Sequence, residues 1–282
     1  TLQSKQDFKK GIFQAGTNLV LTYNQDKPLL SEIRGGYVGH TIQAIPTLEQ
    51  YDANQTGGYG ALYGDVVNLY NPLGMVDDNL MNRYSDNVKI YANAYVSVEF
   101  MKGLKYKLNL TPDFQFYRYN SYLGLYDYGL NKNDITQVTE QQTRTRNVLV
   151  ENLLTFDRTF GDHKISVLAG YTYQDSRYRY MQGSGQGMPT GIKEIDAAAQ
   201  GLAVSGNSSR SVLTSILGRA FYSYKNRYLL TATIRRDGSS KFGSNNRYGN
   251  FPSFSVGWNI AEEDFVKNNV SWLDQLKLRG GY

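Results

Sequence analysis

Residue types able to do covalent or metal chemistry are scarce in this 282-residue chain, which has no cysteine and two histidines, His40 and His163. Disulfides, thiolate zinc sites and thiol catalysis are excluded, and neither histidine has the spacing of a metal ligand pair or a Ser/His relay. Glu262, Glu263 and Asp264 look like paired carboxylates, but acidic residues ahead of an apolar stretch read more simply as the first turn of a short helix. Gly183, Gly185 and Gly187 follow no buried strand and open no helix, so they read as a flexible loop rather than a phosphate cradle. The expectation is a non-enzyme without cofactor or metal. Thirty basic residues against 25 acidic ones give a net charge of +5 with no basic block, which argues against a nucleic-acid partner.

What remains is non-covalent chemistry, and tyrosine dominates it, with 24 copies beside 12 Phe and 2 Trp. Tyr117, Tyr119, Tyr122, Tyr126 and Tyr128 form one cluster, and Tyr171, Tyr173, Tyr178 and Tyr180 another. A tyrosine offers a flat apolar ring with a hydrogen-bonding tip, suited to stacking on a sugar ring or packing against a protein. Tyr122, Tyr126, Tyr128, Tyr178 and Tyr180 are therefore the candidate substrate contacts; packing within loops or a membrane-interface girdle is the competing use.

The elements that position these residues are strands. In Val88 to Phe100 the even positions are apolar and the odd ones mostly polar, and Leu104 to Phe116 repeats the pattern after a tight turn at Met101 to Gly103. Similar alternation in Thr1 to Phe8, Phe13 to Tyr23, Val148 to Phe160, Ile165 to Tyr173, Val212 to Tyr224, Tyr228 to Ile234, Pro252 to Ile260 and Leu276 to Tyr282 gives about ten strands. Short turns at Lys9 to Gly11, Met101 to Gly103, Gly161 to His163 and Lys225 to Arg227 alternate with long segments at about 25–87, 120–145, 175–210 and 237–248. The segment Ala261 to Leu273 is the one longer connection on the short side. No apolar run is long enough for a transmembrane helix, but barrel strands are short and half polar. Segregated loop lengths are the mark of an antiparallel up-and-down transmembrane β-barrel, with long loops outside and short turns in the periplasm. On that view the apolar face meets lipid, and Tyr222, Tyr224, Tyr228 and Trp258 form an aromatic girdle. Charged residues of the other face, Glu151, Arg219 and Arg235 among them, line the lumen. The alternative is a soluble β-sandwich or adhesin-type binding module, whose apolar face a second sheet would cover.

The stretch from Tyr228, "YLLTATIRRDGSSKFGSNNRYGNFPSFSVGWNIAEEDF", followed by "WLDQLKLRGGY", closely resembles SusC/RagA-type TonB-linked outer-membrane transporters. "VEFMKGLKYKLNL", "YTYQDSRY", "PTLEQYD" and "NPLG" extend the resemblance from about Lys9 to the last residue. It implies a cell outer-membrane nutrient importer of Bacteroidota with a plugged, 22-stranded type of barrel, of which residues 1–282 are a partial wall without the plug domain. It also implies a SusD-like surface lipoprotein as partner, TonB acting through the plug, surrounding outer-membrane lipid, and an oligosaccharide or peptide ligand. Within Thr47 to Gly74, Tyr51, Asn71, Pro72 and Leu73 are the expected contacts for the lipoprotein. A self-contained ten-stranded porin would instead require Thr1 to Phe8 to pair with Leu276 to Tyr282.

Overall fold

The computed structural model describes residues 1–28, 36–61, 69–270 and 272–282. Its strands are β1 (Leu2–Lys10), β2 (Phe13–Asp26), β3 (Met81–Met101), β4 (Leu104–Leu123), the two-residue β5 (Tyr126–Asp127) and β6 (Lys132–Asn133), β7 (Gln137–Phe160), β8 (His163–Gln186), β9 (Gln200–Tyr224), β10 (Tyr228–Ser239), β11 (Tyr248–Asn259) and β12 (Lys277–Gly281). Helices are short: α1 (Gly36–Gln43), α2 (Pro72–Val76) and α3 (Asp264–Lys267). None is long and apolar enough to cross a membrane, which says nothing about strands.

All the longer strands form one antiparallel sheet in chain order, β1 to β4 and then β7 to β12, with β5 and β6 as a separate ribbon. β1 and β12 are its two edges and do not pair with each other, so the self-contained ten-stranded closure does not form. Tight turns make the sequential order possible. Gly103 has φ +88°, and a Cβ there would lie 2.1 Å from the carbonyl oxygen of Asp157, so only glycine fits. Lys225 and Asn226 both take positive φ, 53° and 55°, in the turn from β9 to β10 closed by the Arg227 amide on the Tyr224 carbonyl. Two consecutive positive values define the type I′ turn, whose twist matches that of a hairpin.

Register confirms one apolar face. Phe13, Val98, Tyr106, Leu154, Ala169, Gly218, Ile234 and Pro252 succeed one another across eight strands as directly opposed residues. A neighbouring row of opposite parity runs Tyr95, Asn109, Glu151, Thr172, Ser215 and Asp237. Among the described residues no second sheet covers the apolar face, and Val96, Leu110, Phe116, Ile216 and Ile234 stay exposed on it. A soluble sandwich would bury them.

Several strands outrun their apolar stretches. β4 continues to Leu123, β7 starts at Gln137, β8 continues to Gln186 and β9 starts at Gln200, so much of 120–145 and 175–210 is strand rather than loop. These extensions alternate Thr, Tyr, Gln and Arg, as in Gln137 to Arg146 and Arg177 to Gln182. Threonine and tyrosine favour strands without an apolar face, so hydrophobic alternation ends before the ladder does.

Fully buried apolar side chains concentrate in two small clusters at the long-connection end. One gathers Met75, Leu80, Met81, Tyr126 and Tyr128 beside Tyr37, Tyr59 and Tyr70. The other places Tyr122, Val138 and Met188 beneath Ile195, Ala197 and Ala198. Leu123 packs on the first cluster and Tyr122 belongs to the second, so adjacent residues of β4 serve opposite faces.

Candidate functional site

At the long-connection end, Asn71 organises the approach to β3. It is 3% exposed, and its amide nitrogen donates to the carbonyls of Glu49 at 3.1 Å and Gly60 at 3.1 Å. Its side-chain oxygen accepts from the Leu73 amide at 3.0 Å, capping α2, with Pro72 at the first helical position. Tyr126 and Tyr128 stack with ring centroids 4.9 Å apart, and Tyr70 packs obliquely against both. A Cβ on Gly74 would lie 1.9 Å from the Tyr128 hydroxyl, so the helix must carry glycine where the ring passes beneath. Tyr59 donates to Asp77 at 2.8 Å; burial first, and then that carboxylate, push its hydroxyl pKa up to about 12.

This packing changes the role of several predicted site residues. Tyr122, Tyr126 and Tyr128 are 2%, 5% and 1% exposed, so their rings are committed to the two clusters and offer no face to a ligand. Asn71 likewise has no surface for a partner, because its polar atoms are consumed by local backbone. Tyr51 and Leu73 remain exposed at 66% and 36%, and Pro72 is half-buried. Burial also explains the first tyrosine cluster: an aromatic-rich connection builds a miniature core where the sheet cannot supply one.

Glu151, Arg219 and Arg235 all fall on the polar face by register. Glu151 ends a side-chain ladder in which Asn93 donates to Asn109 and Thr111, each at 2.8 Å, and Asn109 donates to Glu151 at 2.8 Å. Arg235 donates to Asp237 at 2.7 Å and Ser215 at 3.3 Å, whereas Arg219 is exposed without an ion pair among the described residues. Tyr178 and Tyr180 share this face with Thr145 and Thr143. Tyr178 is 38% exposed, while the Tyr180 hydroxyl donates to Gln182 at 2.5 Å. The polar face therefore carries anchored amides, charges and open aromatic rings, Tyr178 and, opposite Arg235, Phe251 at 57% exposed. Such a surface can bind polar ligands reversibly, and no grouping of metal-binding side chains occurs among the described residues.

Sequence reasoning passed over Glu263, treating it as a helix-start residue. It is 7% exposed and accepts from the Tyr228 hydroxyl at 2.7 Å, the Trp258 indole at 2.9 Å and the Arg227 guanidinium at 3.2 Å. These donors, the Trp258 bond foremost, hold its carboxyl below the usual carboxylate range. Arg227 also binds Asp264 at the start of α3. The knot fixes the polar tips of two girdle aromatics at the short-turn end. A signal existed in the clustering of Tyr, Trp, Arg and Glu, but their meeting depends on the β10 to β11 register, which pairs Tyr228 with Trp258.

No protein-family model matches the chain. It is 30% identical over 258 residues to TonB-dependent receptor P3 of Formosa agariphila, covering 88% of this chain and 24% of that protein. It is 52% identical over 75 residues to TonB-dependent receptor SusC of Bacteroides thetaiotaomicron, covering 27% of this chain and 7% of the relative. The RagAB peptide transporter superimposes with a TM-score of 0.79 over 99% of this chain and 32% of that one, at 17% identity. The chain belongs to the SusC/RagA type of TonB-dependent receptors. It spans about a quarter of the length of three Formosa agariphila relatives that match most of it. Its ten sequential antiparallel strands form a wall segment of an up-and-down barrel, and the aromatic knot and polar ladder lie on that wall.

Proposed function

We propose that this chain forms part of the wall of an outer-membrane importer of SusC type, which passes oligosaccharides or peptides through a gated lumen without covalent chemistry. The observation that carries the proposal is the uncovered apolar face running across consecutive strands, backed on its other side by the Asn93–Asn109–Glu151 ladder. Lipid would cover the first face and ligand would pass along the second, with Arg219, Arg235 and Tyr178 as polar and aromatic contacts. A SusD-like lipoprotein would close the long-connection end, with Tyr51 and Leu73 as the exposed parts of its seat, and TonB would act through a plug domain of the parent protein. The RagAB likeness supports this division of labour at the level of the fold.

The test is carried out on the full-length parent protein. Recovery in the detergent-extracted outer-membrane fraction, with a gel mobility that shifts on heating, is expected of a membrane barrel. Recovery as a freely soluble protein overturns the proposal. For the lumen assignment, Arg219→Gln with Arg235→Gln should lower ligand uptake several-fold while leaving the heat-dependent mobility intact.

A further inference from the structure

Beyond its apolar belt, the outward face changes character. Arg146, Arg177 and Arg210 lie directly opposite one another on β7, β8 and β9, and Arg144 lies opposite Arg179 in a neighbouring row. All five are exposed. They share the parity of Phe114 and Phe116, which face the same groove of about 730 Å³. Like charges directly opposed in a sheet repel, so these rows cost stability unless an anion occupies them. One carboxylate answers part of the charge: Asp175, 7% exposed, accepts from Arg177 at 3.1 Å and Arg210 at 2.9 Å and holds them side by side. Arg144, Arg146 and Arg179 have no ion pair among the described residues. The patch is therefore five guanidinium groups against one carboxylate, flanked on β4 by Phe114 and Phe116 in the same rows.

We propose that this patch seats the phosphate groups of an outer-leaflet lipid, with acyl chain lying along Phe114 and Phe116. Guanidinium forks match phosphate oxygens two at a time; those of Arg144, Arg146 and Arg179 carry no ion pair among the described residues, while Asp175 takes the Nε and Nη2 donors of Arg177 and Arg210 and fixes those two groups beside them. The position selects a lipid over a free anion, because Val148 and Val212 fall in the row just below the arginines and continue the apolar belt. The site rests on the membrane reading of the apolar face and deepens it by naming which lipid chemistry that face prefers.

The test uses the full-length parent protein in mild detergent, with bound lipid counted by native mass spectrometry. The probes are a lipopolysaccharide-type glycolipid carrying phosphate monoesters, the same glycolipid after phosphatase treatment, and inorganic phosphate alone. The phosphorylated glycolipid should be retained, and the triple variant Arg146→Gln, Arg177→Gln, Arg179→Gln should retain it about a hundredfold less, roughly tenfold or less per arginine. Lys105→Gln, on the opposite face, should retain it as the parent does. Equal retention by triple variant and parent, or of the two glycolipids, overturns the proposal. So does full occupancy by inorganic phosphate in competition, or loss of self-association in place of lipid binding, which would make the patch a protein interface. If the variants keep heat-dependent mobility, such failures fall on the lipid site alone; a parent that is soluble without detergent sinks the membrane reading itself.

Discussion

The two ends of the sheet solve the same problem with different chemistry. At the long-connection end, tyrosine rings and Asn71 build a local core, in which apolar burial is the main term and polar groups are enclosed to satisfy backbone. At the short-turn end the buried apolar side chains among the described residues are Ala261 and Val266, and one carboxylate, Glu263, ties the tips of Tyr228 and Trp258 to Arg227. The difference teaches that a sheet with no core of its own can be finished either by importing a small core or by hydrogen-bonding its interface aromatics. The first depends on shape and the second on charge, so different perturbations separate them.

The largest effect is expected from Tyr128→Ala, which empties a buried ring position and should cost about 4 kcal/mol, read as lost hydrogen-exchange protection confined to the long-connection end. Tyr128→Phe sharpens the point: the hydroxyl has no partner among the described residues, so this variant should be neutral or up to about 1 kcal/mol more stable. Asn71→Ala should cost about 3 kcal/mol, since it strands buried carbonyls and uncaps α2, and proteolysis between residues 49 and 80 of the parent should report it. Glu263→Gln keeps the shape and removes the charge, and faster exchange at the short-turn end is expected, with no change at the other end. A glutamine that matched wild type in exchange would show that charge is immaterial there.

Acidity divides the ends as well. Glu263 has a depressed pKa in the folded protein, so its contribution is present at neutral pH and is lost as pH falls through and below the ordinary carboxylate range near 4.5. Tyr59 has a raised pKa, so its contribution is full below about 10 and is lost as pH rises toward about 12. Exchange measured across pH should therefore loosen the short-turn end in acid and the long-connection end in alkali; a short-turn end unmoved by acid would break the comparison. The smallest effect is expected from Lys225→Asn with Asn226→Gly, which suits the positive φ values of that turn and should add about 0.5 to 1 kcal/mol to thermal stability.

Much of this fold was legible because alternation and turn residues act locally. Val88 to Phe100 and Leu104 to Phe116 declare their faces one residue at a time, and the turn glycines at 103 and 161 mark where the chain reverses. What escaped is what depends on meeting across distance. The wet halves of β7 and β8 carry no apolar alternation, so their ladder was invisible, and with it the lining up of Arg146, Arg177 and Arg210. The fate of the tyrosines was equally hidden. Tyr126 and Tyr178 look alike as letters, and only the packing of Met75, Leu80, Tyr59 and Tyr70 around the first decides that it is buried while the second stays open.

One feature of the sheet reaches further than its pairing. β8 and β9 have 24 and 25 residues, but β10 and β11 have 12 each, and the pairing of β9 with β10 begins only at Leu213. At about 3.3 Å per residue and a tilt near 40°, the taller strands climb roughly 60 Å and the shorter ones roughly 30 Å, against an apolar belt of about 25 Å. The rim is therefore a staircase, with a drop between β9 and β10. Along that drop the upper half of β9 shows a bare row of amides and carbonyls to water, so a molecule arriving from outside meets a parapet on one flank and an open doorsill on the other.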